Sequence, residues 1–313
     1  MVCFKPLQAS LHDGQLKFSK AKSQLFYKHG YSLGQLKEMD PESSPIPCGQ
    51  CYGCRVDHAK QWATRIVHEA SLHEDNCFIT LTYSEEHVPK NNSLNKKHFT
   101  DFMKRLREHL DRKYNKQIRY FMCGEYGEKN TKRPHYHAII FGHDFQDKVI
   151  YFDGKKKEHP DFVSKELSTI WKYGISTIGT VTSKSAGYVA SYCLKKITGR
   201  DAKKHYGERI PEYATMSRNG AIGRKWLEKY MSDVYNKYTD FIVVDNKKFK
   251  IPRMYDQIYS QKFPEKFLEL KNKREIKVAK LTANTTVKTL EDKDKNLRAA
   301  LATKTKNLDS QVA

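Results

Sequence analysis

Two histidines flank a single residue in the run Arg133-Pro134-His135-Tyr136-His137-Ala138-Ile139-Ile140-Phe141-Gly142. β-Branched and aromatic residues closed by a glycine predict a strand. Side chains alternate along a strand, so His135 and His137 would share one face, with Cα atoms about 6.6 Å apart at a rise of about 3.3 Å per residue. Two imidazoles so placed can share one metal ion, although a pair that merely packs has the same spacing. Upstream, Gln117 to Gly127 reads as a second strand, and Glu128 to Lys132 as the polar loop of a hairpin joining the two. Such a hairpin would bring Glu125 beside the histidines; the plain alternative is a solvated loop carboxylate. Two imidazoles and a carboxylate form a nitrogen–oxygen set that suits Mg2+ or Mn2+ better than a thiolate site would.

A second cluster is built of sulfur. Cys48, Cys51 and Cys54 form C-x2-C-x2-C, a spacing that wraps a tight loop around one soft ion, most often Zn2+. A closed structural site needs a fourth ligand. Cys3, which would pin the N-terminal arm, is favoured over His58, Cys77 and Cys123. Free reduced thiols and an iron–sulfur cluster are the alternatives. Seven cysteines, three of them clustered, fit a reducing compartment with metal use better than a disulfide framework.

The third group is Tyr188-Val189-Ala190-Ser191-Tyr192-Cys193-Leu194-Lys195-Lys196, preceded by Ala186 and Gly187. These residues predict a helix ending near Gly199. Tyrosines four apart share one helical face, separated by about 6 Å of rise, and Lys195 stays on that side. A tyrosine pair packed into the core would be spaced identically, but a core stripe rarely carries an ammonium.

The elements that must position these groups follow a regular order. Arg55 to His73 reads as a helix, Cys77 to Tyr83 as a strand, and Lys97 to Tyr114 as an amphipathic helix with Phe99, Phe102, Met103, Leu106 and Leu110 on one stripe. Its other side carries Lys104, Arg105, Arg107, Arg112 and Lys113, a solvated face or a DNA contact. After the two central strands comes a polar segment, 143–160. A helix from Phe162 to Tyr173 and a strand from Ile175 to Val181 lead into the tyrosine helix. The order β-α-β-β-α-β-α predicts an α+β fold: an antiparallel sheet of about five strands covered by helices on one face, in the split ferredoxin-like class. Thr80 and Thr82 would face the DNA side.

Along the chain this divides into an N-terminal Cys-rich arm and helix (1–74), a core (75–200), an accessory α+β region (201–270) and a basic flexible or helical tail (271–313). Residues 1–47 show no clear periodicity. In the accessory region a helix is predicted from Arg224 to Tyr238 and a hairpin around Asp245-Asn246. Tyrosines and basic residues interleave there, which suits base stacking and phosphate contact as well as an ordinary accessory subdomain.

Lys and Arg total 57 against 36 Asp and Glu, a net charge of +21, which favours a polyanionic partner, nucleic acid first. No run approaches the roughly 18 apolar residues of a membrane span, and the N-terminus has no apolar signal core. No Walker-type nucleotide loop is present.

Taken together, His135-Tyr136-His137, Phe78-Ile79-Thr80-Leu81-Thr82-Tyr83 and Tyr188 to Lys195 resemble the motifs of rolling-circle replication initiators of the HUH endonuclease superfamily. With Cys48 to Arg55 upstream, the chain looks most like the initiators of microviruses, in the gokushovirus branch of single-stranded DNA phages. The resemblance spans residues 48–200. It implies a metal-dependent, site-specific DNA endonuclease and strand transferase. Glu125, His135 and His137 would hold Mg2+ or Mn2+. Tyr188 and Tyr192 would alternate as nucleophiles, forming a 5′-phosphotyrosine link, leaving a 3′-OH primer and later rejoining the displaced strand. Lys195 would orient or neutralise the phosphate, although the adjoining Lys196 leaves open which lysine faces the tyrosines. Tyr136, bulky where the motif is hydrophobic, would point to the opposite face. The implied partners are single-stranded DNA, the replicative-form origin, and a host helicase and DNA polymerase in the bacterial cytoplasm, with no membrane and no small-molecule substrate. The alternatives are another HUH enzyme (plasmid initiator, relaxase or transposase), a hydrolase using metal-activated water, and a non-enzymatic zinc-stabilised DNA-binding regulator.

Overall fold

The computed structural model describes residues 3–12, 15–127, 132–151, 160–191, 194, 196–197, 199, 201–236 and 240–312. By contacts the chain forms two compact units, one of Met1–His58 with Asp256–Ala313 and one of Ala59–Tyr255. Among the described residues no helix is long and apolar enough to cross a membrane.

The first unit begins with β1 (Leu7–His12), β2 (Gln15–Phe18), α1 (Lys20–His29), α2 (Leu33–Met39) and β3 (Ser43–Ile46). Strand β1 pairs antiparallel with both β2 and β3. No periodicity announces these elements because the strands run only four to six residues and the helices are short. They are specified by their ends instead. Ser19 caps α1, Gly30 closes it with φ +73°, and Ser32 with Gln35 forms a capping box on α2. Helix α3 (Tyr52–Ala70) starts in this unit.

The second unit is built on one sheet. Its elements in chain order are β4 (Asn76–Tyr83), α4 (Lys96–Tyr114), β5 (Arg119–Tyr126), β6 (Pro134–Phe141), β7 (Val149–Tyr151), β8 (Asp161–Val163), α5 (Lys165–Trp171), β9 (Gly174–Gly179), α6 (Ser183–Ala190), α7 (Asp201–Tyr206), β10 (Tyr213–Met216), α8 (Arg224–Val234), and the hairpin β11 (Ile242–Val244) and β12 (Lys247–Phe249). Helix α9 (Arg253–Lys262) follows. Helices α10 (Pro264–Thr282) and α11 (Val287–Val312) return to the first unit, where Leu290 is buried with Phe26, Leu33 and Leu36. The β11–β12 turn at Asp245 and Asn246 has φ of +47° and +58°, the conformation a two-residue hairpin needs.

The main sheet has the order β10-β5-β6-β4-β9-β8-β7, and its pairings are antiparallel. The α+β class and the helix-flanked antiparallel sheet hold, but the sheet has seven strands rather than about five. Beyond the four strands of the predicted order, two come from the segment read as polar loop and helix start. Phe162 of β8 pairs with Ile178 of β9, and the helix starts only after Ser164, whose hydroxyl accepts from Leu167 N. Another, β10, comes from beyond residue 200. Helices also cover both faces. On one face Ile79, Leu81, Tyr83, Tyr136, Ala138 and Ile140 pack under α4 and α5. On the other, Phe121, Cys123, Ile139 and Phe141 pack against Ile66 of α3 and Ala186, Val189 and Ala190 of α6. Helix α6 runs from Ser183 to Ala190, Leu194 is helical again, and Tyr192, Cys193 and Lys195 of the predicted continuation lie outside the described residues.

Several basic and aromatic residues from the segments read as either solvated or DNA-facing hold the fold. Arg105 Nε donates to the Ile170 carbonyl at 3.0 Å, and Lys113 joins His109 and Tyr114 around Glu166. Tyr206 and Tyr255 are buried, the latter stacked near Trp226 with its hydroxyl 2.9 Å from His68 Nδ1.

Tyr136 is fully buried behind the histidine face. Its hydroxyl lies 2.8 Å from that of Tyr83, donates to the Asn95 carbonyl at 2.8 Å and accepts from Asn95 N at 2.9 Å. Burial raises the affinity of Tyr136 for its phenolic proton. Removing this hydroxyl strands a buried donor and acceptor at the start of α4. Tyr136→Phe is therefore expected to lower stability by about 1–3 kcal/mol, read as a lower urea midpoint with an unchanged slope.

Candidate functional site

The site lies on the α3/α6 face of the sheet, at the ends of β5 and β6. Antiparallel register sets Glu125 opposite His135 and Cys123 opposite His137, while β4 on the other side sets Thr80 opposite His137. Because β6 alternates, both imidazoles emerge on one face and Tyr136 on the other. Glu125 Oε1 lies 3.3 Å from Nε2 of His135 and 3.3 Å from Nε2 of His137. One candidate ligand atom from each residue falls within 4.8 Å of the others. Glu125 and His137 are buried, at 2% and 6% exposure.

The outward nitrogens are engaged. His135 Nδ1 donates to the Arg133 carbonyl at 3.0 Å, and His137 Nδ1 sits 3.0 Å from Thr80 Oγ1. A proton held on Nδ1 of neutral His135 leaves Nε2 as a lone pair facing a carboxylate oxygen. That arrangement is unfavourable without a cation and is the one a metal-ligating histidine adopts. The donor set therefore fits a divalent ion bound through two imidazoles and a carboxylate.

Helix α6 carries the tyrosine in. Thr182 and Ser185 form its capping box, and Ala186, Val189 and Ala190 are buried against the sheet. Tyr188 reaches over the trio: its hydroxyl donates to Glu125 Oε1 at 3.0 Å and lies 3.3 Å from His137 Nε2. Its ring stands edge-on to both His137 and Phe78, and Phe78 stacks with that imidazole at 5.6 Å and 8°. Tyr188 is 44% exposed, so the hydroxyl stands between buried ligands and solvent.

The predicted Glu125, His135, His137 and Tyr188 thus meet at one point. Tyr192 and Lys195 lie outside the described residues. Thr80 and Phe78, which orient and flank His137, were not assigned to the site from sequence. Their signal was the strand alternation of 76–83, but it pointed only to a shared face, because nothing local says that β4 neighbours β6.

The cysteines form a separate group in the first unit. Cys3, Cys48, Cys51 and Cys54 bring their sulfurs within 4.8 Å of one another. Burial works to raise the Cys51 thiol, yet amide donors from Cys54 and Phe4 and the neighbouring thiols bring it down to about 7. Burial pushes Cys3 up to about 11. Of the fourth-ligand candidates the fold selects Cys3; Cys77 and Cys123 are buried in the main sheet.

Comparison with known proteins places this geometry in a family. The family model described as replication-associated protein ORF2 matches residues 76–197, the segment that holds the central strands, the histidines and the tyrosine helix. Replication-associated protein VP4 of Bdellovibrio phage phiMH2K is 34% identical over 288 residues, covering 90% of this chain and 84% of its own. Replication-associated protein ORF2 of Spiroplasma virus 4 is 33% identical over 297 residues, covering 90% and 88%. Replication-associated protein ORF4 of Chlamydia phage 1 is 29% identical over 250 residues, covering 79% of this chain and 61% of its own. No solved structure matches. The chain belongs to this family of phage replication-associated proteins, the microvirus-like replication initiators.

Thr80 Oγ1 holds the Nδ1 side of His137, one of the candidate ligands. Thr80→Val is expected to weaken Mn2+ binding about 10- to 100-fold, measured by calorimetric titration, while leaving the folded circular-dichroism spectrum unchanged.

Proposed function

We propose that this protein is an HUH-type endonuclease and strand transferase that nicks one DNA strand at the phage origin through a tyrosine. The observation that carries this reading is the Tyr188 hydroxyl, held 3.0 Å from Glu125 Oε1 and 3.3 Å from His137 Nε2. A phenol placed on candidate metal-binding groups is poorly explained as packing, since Tyr188 is 44% exposed.

An ordinary tyrosine loses its proton near pH 10. The hydrogen bond to Glu125 Oε1 holds the phenolic oxygen beside the trio and gives its proton a carboxylate to leave to as the oxygen attacks. Attack on the scissile phosphorus forms the Tyr–O–P bond and breaks the P–O3′ bond. The 5′ phosphate stays on tyrosine and a 3′-OH is released as primer. The Mg2+ or Mn2+ that Glu125, His135 and His137 would hold supplies Lewis acidity toward the phosphate and the departing oxygen. The phosphotyrosine ester keeps the energy of the cleaved bond, so a later 3′-OH can displace the tyrosine and close a circle without ATP. Tyr192 is the second nucleophile in this scheme and Lys195 the phosphate-orienting cation. The net charge of +21 supports a DNA substrate. Unwinding and synthesis would fall to a host helicase and polymerase in the bacterial cytoplasm.

The test uses labelled circular single-stranded DNA carrying the origin, Mn2+ and a denaturing gel. An SDS-resistant protein–DNA adduct is expected for wild type and for at least one of Tyr188→Phe and Tyr192→Phe, and none for the double variant. His135→Ala/His137→Ala or removal of the ion with EDTA should slow cleavage by about 10³-fold or more, as the loss of several kcal/mol implies. Cleavage retained in the double tyrosine variant, without an adduct, would shift the chemistry to activated water. Binding without cleavage under any divalent ion would leave a DNA-binding regulator.

A further inference from the structure

We infer that Cys3, Cys48, Cys51 and Cys54 bind one structural zinc ion that ties the N-terminal segment into a closed loop. This site is chemically distinct from the Glu125–His135–His137 site and plays no part in the tyrosine reaction.

The geometry is that of a tetrathiolate cage. The Sγ atoms of Cys3 and Cys51 are 3.8 Å apart. Four sulfurs around zinc at about 2.3 Å have tetrahedral edges of about 3.8 Å, whereas a disulfide requires about 2.05 Å. The remaining ligand sulfurs stay within 4.8 Å, so the group is neither a bonded pair nor a scatter of thiols.

The backbone is shaped for thiolates. Phe4 N donates to Cys51 Sγ, Cys48 N to Cys3 Sγ and Cys51 N to Cys48 Sγ, each at 3.3 Å. Amide donors aimed at sulfur stabilise the anionic form that a metal takes. The turn between Cys48 and Cys51 passes through Gly49 at φ +75°, a left-handed conformation that brings two cysteines of one C-x2-C loop to a single point.

The location gives the ion a task. Cys3 and Cys48 are 45 residues apart, and β1, β2, α1, α2 and β3 lie between them. The apolar core of that segment is small, with Phe26, Leu33 and Leu36 its chief buried residues. Small units of this kind commonly draw stability from a metal or cross-link that their cores do not supply. All-thiolate donors select zinc over Mg2+ and Mn2+.

The experiment measures metal in the full-length protein purified under reducing conditions without chelator. Elemental analysis should find about one zinc per chain. His135→Ala/His137→Ala should retain it and Cys3→Ser should lose it. Replacement by Co2+ should give the intense visible bands and sulfur charge-transfer absorption of tetrahedral cobalt thiolate. That readout needs only wild type, so it stands even if Cys3→Ser fails to fold. A zinc-free wild type, zinc that follows the histidines instead of Cys3, iron with acid-labile sulfide, or cobalt without thiolate bands would each overturn the assignment. None of these readouts passes through DNA cleavage, so the nuclease reading and the zinc reading can fail separately.

Discussion

A carboxylate almost sealed from water governs the arrangement of this protein. Glu125 is 2% exposed, and an ionised group at that depth persists only if its charge is answered on the spot. The Tyr188 hydroxyl donates to one oxygen, and the Nε2 atoms of His135 and His137 face that same oxygen, an arrangement that a shared cation would neutralise. Each comes from a different position in the chain and each is set by a different device. The β5–β6 register sets His135, the Thr80 hydroxyl from β4 sets His137, and the capped and buried α6 sets Tyr188. The hydrophobic layers on both faces of the sheet serve in part to hold these devices in place around one atom.

The two candidate metal centres differ in donor chemistry and in how the chain spaces their donors. Nitrogen and oxygen donors stand on adjacent strands of a rigid sheet, where the spacing comes from strand geometry. Sulfur donors stand on a tight turn and a distant arm, where the spacing comes from loop closure. The first can position reacting groups. The second can only hold chain together, because four thiols leave no open position for a substrate.

Much of the site was legible in the sequence because its spacing is local. His-x-His on a strand needs only the period of two, and Glu125 needs only a hairpin. Cys3 was a guess about tertiary structure that chemistry constrained, since a soft three-thiol loop seeks a fourth sulfur. What escaped was information carried by long-range pairing. Thr80 becomes the partner of His137 only once β4 lies beside β6. The short strands β7, β8 and β10 have too few residues to show alternation, and Phe162 read equally well as the start of a helix. Arg105 and Lys113 read as a solvated face or a DNA contact because sequence shows their charge but not the Ile170 carbonyl and the Glu166 carboxylate that occupy them. The return of Leu290 to a core near the N-terminus has no local signal.

Strand β6 alternates the two histidines of the candidate site with a tyrosine whose hydroxyl is bound on the far side of the sheet. A slip of one residue would turn His135 and His137 into hydrocarbon and push Tyr136 out among the ligands. The same error would destroy the core and the site together. The strand thereby proofreads its own register: a molecule that has acquired its stable packing has necessarily assembled the chemistry, and a population of folded but misassembled copies has no minimum in which to collect.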